Sequence, residues 1–264
     1  MAKKVWKPGT MLYPVPPAMI TCGTAQKPNV FTAAWTGIVN SEPPMTYISV
    51  RPERYSHGLI KETGEFVINL TTADLVKTAD FCGVKSGRDI NKFEQTGLKT
   101  LQASKVACPL LEASPVSLEC KVKEVKSLGS HDMFLAEIVA VDIDEDLLDE
   151  EGRLQLEKSH PAAFCHGRYY ALGAELGMLG FSVIKKKTRK RRIAEIKEKR
   201  KQERIRKEQI LEERPVERKK SEKKTGFSKK ETAKNAKSKK PFAPKAKKEA
   251  KAQGGYFKKK KTSA

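Results

Sequence analysis

Three short stretches collect residues suited to one kind of ligand. Residues 31–35 read FTAAW, which sets a hydroxyl, two alanines and an indole in a run otherwise shaped like a strand. Side chains as small as Ala33 and Ala34 let a planar molecule reach backbone N–H and C=O groups directly, with Thr32 and Trp35 beside it. The second stretch, SVRPERYSHGLI, sets Ser49 and Arg51 just before an expected helix and Tyr55 and Ser56 at its start. A helix N-terminus with an arginine and hydroxyls nearby attracts a phosphate. The third, CGVKSGRDINKF, supplies Ser86, Gly87, Arg88 and Lys92 at a second corner. Each stretch alone has a plainer explanation: tight packing for the alanines, a solvated or ion-paired arginine, an ordinary Ser-Gly turn. A dianionic phosphate joined to one flat heteroaromatic ring accounts for all three at once.

Short apolar runs separated by turn residues must position these groups. AMITCGT (18–24), FTAAWTGIVN (31–40) and MTYISVR (45–51) read as strands, the last rich in β-branched and aromatic residues. Pro43 and Pro44 stop the second of them. A helix follows through Tyr55, Leu59 and Ile60, with Gly64 at its C-cap. EFVINL (65–70) alternates with Phe66, Ile68 and Leu70 on one face and Asn69 on the other. TTADLVKTADFCG (71–83) reads as a capped helix carrying Cys82 on its apolar stripe, and a short helix is expected to start at Asp89. VSLECKV (116–122) points Val116, Leu118, Cys120 and Val122 inward, then slips phase at Lys123-Glu124 as a bulge would require. MFLAEIVAVDID (133–144) is its expected antiparallel partner. Five to seven strands with short helices between them predict a mainly β fold, a small barrel with inserted helices.

Much catalytic chemistry has no residues to carry it. GxGxxG after a strand, a Walker A loop, HExxH and GxSxG are all missing. The four histidines stand at no metal-ligand spacing with cysteines, so no metal site is expected, and the His166–Cys165 neighbours read as structural. Five cysteines without a CxxC pair suit a reducing, cytoplasmic setting, and Cys82 reads as a small buried residue. No apolar run approaches the roughly 20 residues of a membrane span, and prolines interrupt any leader-like segment near the start.

Charge divides the 264-residue chain in two. Residues 185–264 hold 34 of its 53 basic and 10 of its 32 acidic residues, leaving 19 and 22 for residues 1–184. The expected organisation is a nearly neutral domain over 1–184 and a strongly basic tail over 185–264. Composition and i,i+4 pairs such as Glu195–Lys199 predict a helix over 188–213; Lys/Ala/Ser low complexity follows and is expected to be disordered.

The neutral domain resembles the flavin reductase-like family of FMN-binding split-barrel, flavoredoxin-like proteins. The resemblance rests on NVFTAAWTGIVNSEPPMTYISVRPERYSHGLIKETGEFVINL, then CGVKSGRDINKFEQTGL, then HGRYYALGAELG. It implies a split β-barrel, usually a homodimer, with FMN bound near the dimer interface. It implies Thr32, Ala33, Ala34 and Trp35 along the isoalloxazine, with Ser49, Arg51, Tyr55 and Ser56 on the ribityl phosphate. Ser86, Gly87 and Lys92 would close over it, Asn69 would add a contact, and His166 with Arg168 would line the mouth. The implied activity is an FMN-dependent oxidoreductase, the flavin carrying the chemistry. Its electrons would come from NAD(P)H or a redox protein and pass to a flavin or protein acceptor. The alternative is a polyanion-binding protein that uses the tail on nucleic acid, the ribosome or an anionic surface, with the barrel as scaffold.

Overall fold

The computed structural model describes residues 1–185 and eleven positions between Thr188 and Ile205, all of them helical. The rest of the expected 188–213 helix and the low-complexity stretch lie outside the described residues. The chain divides into two units, Met1–Met178 and a second beginning at Leu179.

Seven strands form the main sheet of the first unit: β1 (Ala18–Gly23), β2 (Pro28–Ala33), β3 (Thr36–Ser41), β4 (Pro44–Val50), β5 (Glu65–Leu70), β8 (Val116–Ser127) and β9 (Asp132–Ile143). Two short strands, β6 (Thr100–Leu101) and β7 (Leu110–Leu111), pair with each other, as do β10 (Ala162–Cys165) and β11 (Arg168–Ala171). The order in the main sheet is β2-β1-β5-β8-β9-β4-β3, with all six neighbouring pairs antiparallel. The fold is therefore mainly β, as the alternating runs predict.

The expected single strand over 31–40 is two strands. It breaks at Ala34 and Trp35, and its halves, β2 and β3, lie at opposite edges of the sheet. Consecutive segments can occupy opposite edges only if the sheet curls round on itself, so this break is the seam of the barrel. The Ser49 N–H donates to the Trp35 carbonyl at 2.9 Å, and the Thr36 hydroxyl donates to the Tyr47 carbonyl at 2.7 Å, fixing the second half against β4. Glu42 and Pro43 form the β3–β4 turn, where the Asn40 amide donates to both of their carbonyls. The predicted bulge in β8 is present, between Val122 and Glu124.

Three helices insert between strands: α1 (Tyr55–Thr63), α2 (Val76–Val84) and α3 (Lys92–Thr96). Gly64 ends α1 in the left-handed conformation, as its position suggests. The second helix starts at Val76 rather than Thr71, without a side-chain cap. The third starts at Lys92, not Asp89, because Asn91 supplies the cap and accepts from the Phe93 and Glu94 N–H groups.

Inside the barrel, Ile20, Phe31, Ile48, Val50, Ile60, Phe66, Ile68, Cys120 and Phe134 form the core, joined by Leu70, Leu118 and Val122. A second apolar cluster, with Met19, Val30, Ala79, Cys82 and Leu111, holds α2 on the other face of β1 and β2. Asn69 belongs to this outer layer and is fully buried. Its amide nitrogen donates to the Met19 carbonyl at 3.0 Å and the Thr21 hydroxyl at 3.1 Å. Its carbonyl accepts from the Leu111 N–H and the Ser117 hydroxyl, each at 2.9 Å. A planar amide so fully used has nothing left for a ligand, so Asn69 is a fold anchor rather than the cofactor contact expected of it. Replacing Asn69 with Ala strands buried donors and should cost about 2–3 kcal/mol of stability. Urea unfolding would show the lowered midpoint, while ligand affinity of the folded protein stays unchanged. An unmoved midpoint with weakened binding would put Asn69 back in the site.

Candidate functional site

The loop after β4 and the start of α1 carry most of the cleft. Arg54, in extended conformation, precedes α1, and no side chain caps the helix. First-turn N–H groups without a capping side chain present a positive end to whatever lies before them. Arg54 also ties the helix start to α2, its guanidinium donating to the Gly83 carbonyl at 3.1 Å.

Two joined cavities open here. The smaller, about 170 Å3, is lined by Thr32, Ala33, Ala34, Trp35, Ser49, Val50 and His131. The larger, about 650 Å3, is lined by Glu53, Tyr55, Ser56, Lys85, Ser86, Gly87, Arg88, Asp89 and Lys92. Phe31, Arg51 and Arg54 border both. Five basic and two acidic side chains edge the larger cavity, although residues 1–184 carry slightly more acid than base. The structure thus brings the three sequence stretches to one place. His166 and Arg168 fall elsewhere: His166 turns edge-on to Tyr13 at 6.0 Å, and Arg168 lies on β11.

Several of these residues are held from behind. Asn29, buried on β2, donates to the Ser56 hydroxyl oxygen at 2.7 Å, and the buried Ser56 hydroxyl also partners the Cys22 sulfur. Gly87 must be glycine, because a Cβ there would stand 2.1 Å from the Asn29 carbonyl oxygen and 3.0 Å from the Tyr55 ring. The Thr32 hydroxyl donates to the Ala79 carbonyl at 2.5 Å, so it holds α2 against β2. Lys92 is buried, and its ammonium donates to the Val30 and Cys82 carbonyls, both at 2.7 Å. Burial lowers its pKa, which the nearby Cys82 partly offsets. Lys92 therefore ties α3 to β2 and α2 at the back of the cleft, and two of its three donors are already spent there.

Four thiols, all buried, are quiet. Burial raises Cys22 to about 11 and Cys120 to about 12, and it also raises Cys82 and Cys108. Thiols kept protonated in this way are poor nucleophiles.

Linear reading missed Asn29, Arg54 and His131. Arg54 stood in plain view between Arg51 and Tyr55. His131 comes from the β8–β9 turn, and no local pattern ties it to Trp35, on which its ring packs at 4.4 Å. Burial, then the charge of Arg51, lowers the His131 pKa and favours the neutral ring.

Comparison with known proteins places this geometry. Residues 10–173 match the flavin reductase like domain, and the chain belongs to that family. An uncharacterized protein of Archaeoglobus fulgidus is 36% identical over 130 residues, 49% of this chain and 73% of that protein. Among solved structures, flavoredoxin of Desulfovibrio vulgaris (Miyazaki F) aligns with 30% identity and a TM-score of 0.64, over 69% of this chain and 100% of its own. Flavoredoxin from Methanosarcina acetivorans aligns with 25% identity and a TM-score of 0.63, with the same coverage. An FMN-binding protein from Thermus thermophilus, solved with bound 1-cyclohex-2-enone, aligns with 25% identity and a TM-score of 0.57, over 67% of this chain and 97% of its own.

A buried polar pair sets the attitude of α1. The His57 ring contacts the Asp132 carboxylate at 2.8 Å and packs edge-on against Phe134, pinning the helix to β9. The hydrogen bond from His57, helped by Ser127, holds the Asp132 carboxyl below its ordinary 3.8. A depressed carboxyl stabilises the fold fully above its unfolded value, and that contribution is lost as pH falls through the lower folded value. Wild-type stability should therefore fall off more steeply below about pH 4 than that of Asp132→Asn, as acid unfolding followed by circular dichroism would measure. Parallel acid limbs would show that the pair contributes nothing.

Proposed function

We propose that the joined cavities bind FMN and that the protein is an FMN-dependent oxidoreductase. The observation that carries this reading is the pairing of a small cavity walled by Ala33, Ala34 and Trp35 with a cationic one at an uncapped helix start. The ring would lie along residues 32–35, where alanines leave backbone groups within reach. The phosphate would sit before α1, taking N–H groups from the first turn, the Ser56 hydroxyl and charge from Arg51, with Ser49 and Tyr55 alongside. Ser86 and Gly87 would form the opposite rim, and Lys92 would hold that rim in place. When bound, FMN supplies hydride and electron transfer. The chain's own groups orient the ring, keep water from one face of it and stabilise the anion. His131 and Trp35, stacked at the cavity's edge, would shield the ring's end. The electron donor is NAD(P)H or a redox protein, and the acceptor is a flavin or a protein.

Calorimetric titration of the protein with FMN and riboflavin tests this. FMN should bind, and riboflavin should bind about a hundredfold more weakly, the share expected of a few charge-assisted hydrogen bonds. Arg51→Ala should narrow that gap while leaving the melting temperature of the free protein within about a degree, because Arg51 is exposed and its ion pair with Glu53 at 3.4 Å lies at the surface. No binding of FMN would end the reading, and equal loss of stability and affinity would make Arg51 structural.

Two further features fit a surface that meets other molecules. Edge strand β3 exposes Ile38 and Val39 beside half-exposed Trp35, which suits the homodimer that the family implies. The excess of 34 basic over 10 acidic residues in 185–264 suits a polyanion such as RNA. Deleting residues 185–264 should leave a dimer in sedimentation while abolishing retention on a heparin column at low salt. A monomer in either form, or unchanged retention, would remove the corresponding proposal.

A further inference from the structure

Away from the cleft, two acids meet on one face of β8 and β9 without a cation between them. Glu119 on β8 is fully buried. Its carboxylate accepts the N–H groups of Ser104, Lys105 and Val106 at 2.7, 2.6 and 3.0 Å, and the Ser104 hydroxyl at 2.8 Å. These residues belong to the loop between β6 and β7, whose Cys108 packs on Val67 of β5. Glu119 pairs with Ala140 across the ladder and Ser117 pairs with Asp142, so Glu119 and Asp142 are diagonal neighbours on the same face. Their side chains are in hydrogen-bonding contact. Yet Oδ2 of Asp142 is buried and, among the described residues, meets no donor. The Ser117 hydroxyl opposite it is spent on Asn69.

Two ionised carboxylates can only accept, so their contact is repulsive until one of them carries a proton. Among the described residues no lysine or arginine forms an ion pair with either acid within 4.0 Å. The charged groups around the pair are Lys105 on the loop, Glu65 on β5, Lys121 on β8, Glu137 on β9 and Asp144 just beyond it. Lys121 is taken by Glu65 at 3.6 Å, Glu65 also accepts the Ala107 N–H at 2.7 Å, Glu137 is taken by Lys123 at 2.6 Å, and Lys105 is exposed. Glu119 spends its oxygens on four donors, whereas Asp142 has an oxygen with none, so the proton belongs on Asp142. Burial, then the Glu119 charge, raises the Asp142 pKa. Burial opposes the Glu119 charge, but the Ser104 N–H and hydroxyl and the Lys105 N–H outweigh it and hold that carboxyl below its ordinary 4.5.

We propose that a proton held on Asp142 and donated to Glu119 latches the loop over residues 104–106, and that its loss to solvent as pH rises releases that loop. Deprotonation sets a second negative charge against the carboxylate that anchors three loop amides, and the cheapest relief is to let those amides go. The effect reaches further than the loop. Leu111, directly after it, packs with Ala79 and Cys82 of α2, the helix that leads into the Ser86–Gly87 corner.

A pH titration of the full-length wild-type protein by NMR, following the Asp142 carboxyl carbon, tests the latch. Asp142 should titrate above its ordinary 3.8. A carboxyl raised in the fold stabilises fully below its unfolded value, and that contribution is lost as pH rises through the higher folded value. Over that window the wild-type folding constant should fall by about tenfold per pH unit relative to Asp142→Asn, whose amide donates to Glu119 at every pH. Hydrogen exchange, corrected for intrinsic rates, should show the Ser104, Lys105 and Val106 amides losing protection over the same window in the wild type and keeping it in the variant. Titration of Asp142 at or below 3.8, or loop protection in the wild type that does not follow it, would overturn the proposal. Both of those readouts come from the wild type, so they decide the matter even where the variant does not fold.

Discussion

The cleft exists because the chain crosses from one edge of a seven-stranded sheet to the other in two residues, Ala34 and Trp35. No flat sheet allows that step, so the sheet must close on itself, and the closure leaves a seam. At the seam β2 and β3 part from each other, the Trp35 carbonyl takes its hydrogen bond from Ser49 on β4, and the backbone faces a hollow instead of another strand. The alanines keep the hollow open. A large residue at Ala33 or Ala34 would fill the space from which a planar ligand could approach.

The fold around the cleft is braced by buried polar groups that a simple core would not contain. Lys92 carries a buried ammonium to two backbone carbonyls, and Asn69 joins β5, β1, β8 and the Leu111 segment through one amide. Glu119, also fully buried, accepts N–H groups from Ser104, Lys105 and Val106 and so holds the loop that covers this face. Each such group is expensive to leave unpaired, and each specifies one arrangement of the segments around it. Rigid support of this kind lets the exposed residues of the cleft, Arg51, Tyr55 and Arg88 among them, keep their positions on loops. The His57–Asp132 pair does the same for α1, whose start carries no side-chain cap.

Charge is arranged against the average. The domain has a small acidic excess, yet the larger cavity is edged by five cations and two carboxylates. Internal bonds take up part of that charge, while Lys85 and Arg88 stay exposed at the rim of the larger cavity. A field of this sign, next to a helix start, would suit a flat molecule that carries phosphate.

Local chemistry alone determined a good deal. Alternating apolar residues identified β1, β4, β5, β8 and β9, a phase slip marked the β8 bulge, and a glycine closed α1. The three cavity-lining stretches were legible because small residues, hydroxyls and cations stand out against a strand pattern. Tertiary structure alone decided the rest. Residues 31–40 look like one strand because both halves obey the same alternation, and only the closure of the sheet divides them. Asn69 and Lys92 look like ligand residues because an amide and an ammonium have the same chemistry whether they face a phosphate or a carbonyl. Which of the two each one meets depends on neighbours distant in sequence. His131 reaches Trp35 from 96 positions away, a contact set by the pairing of β4 with β9 and invisible to any local pattern.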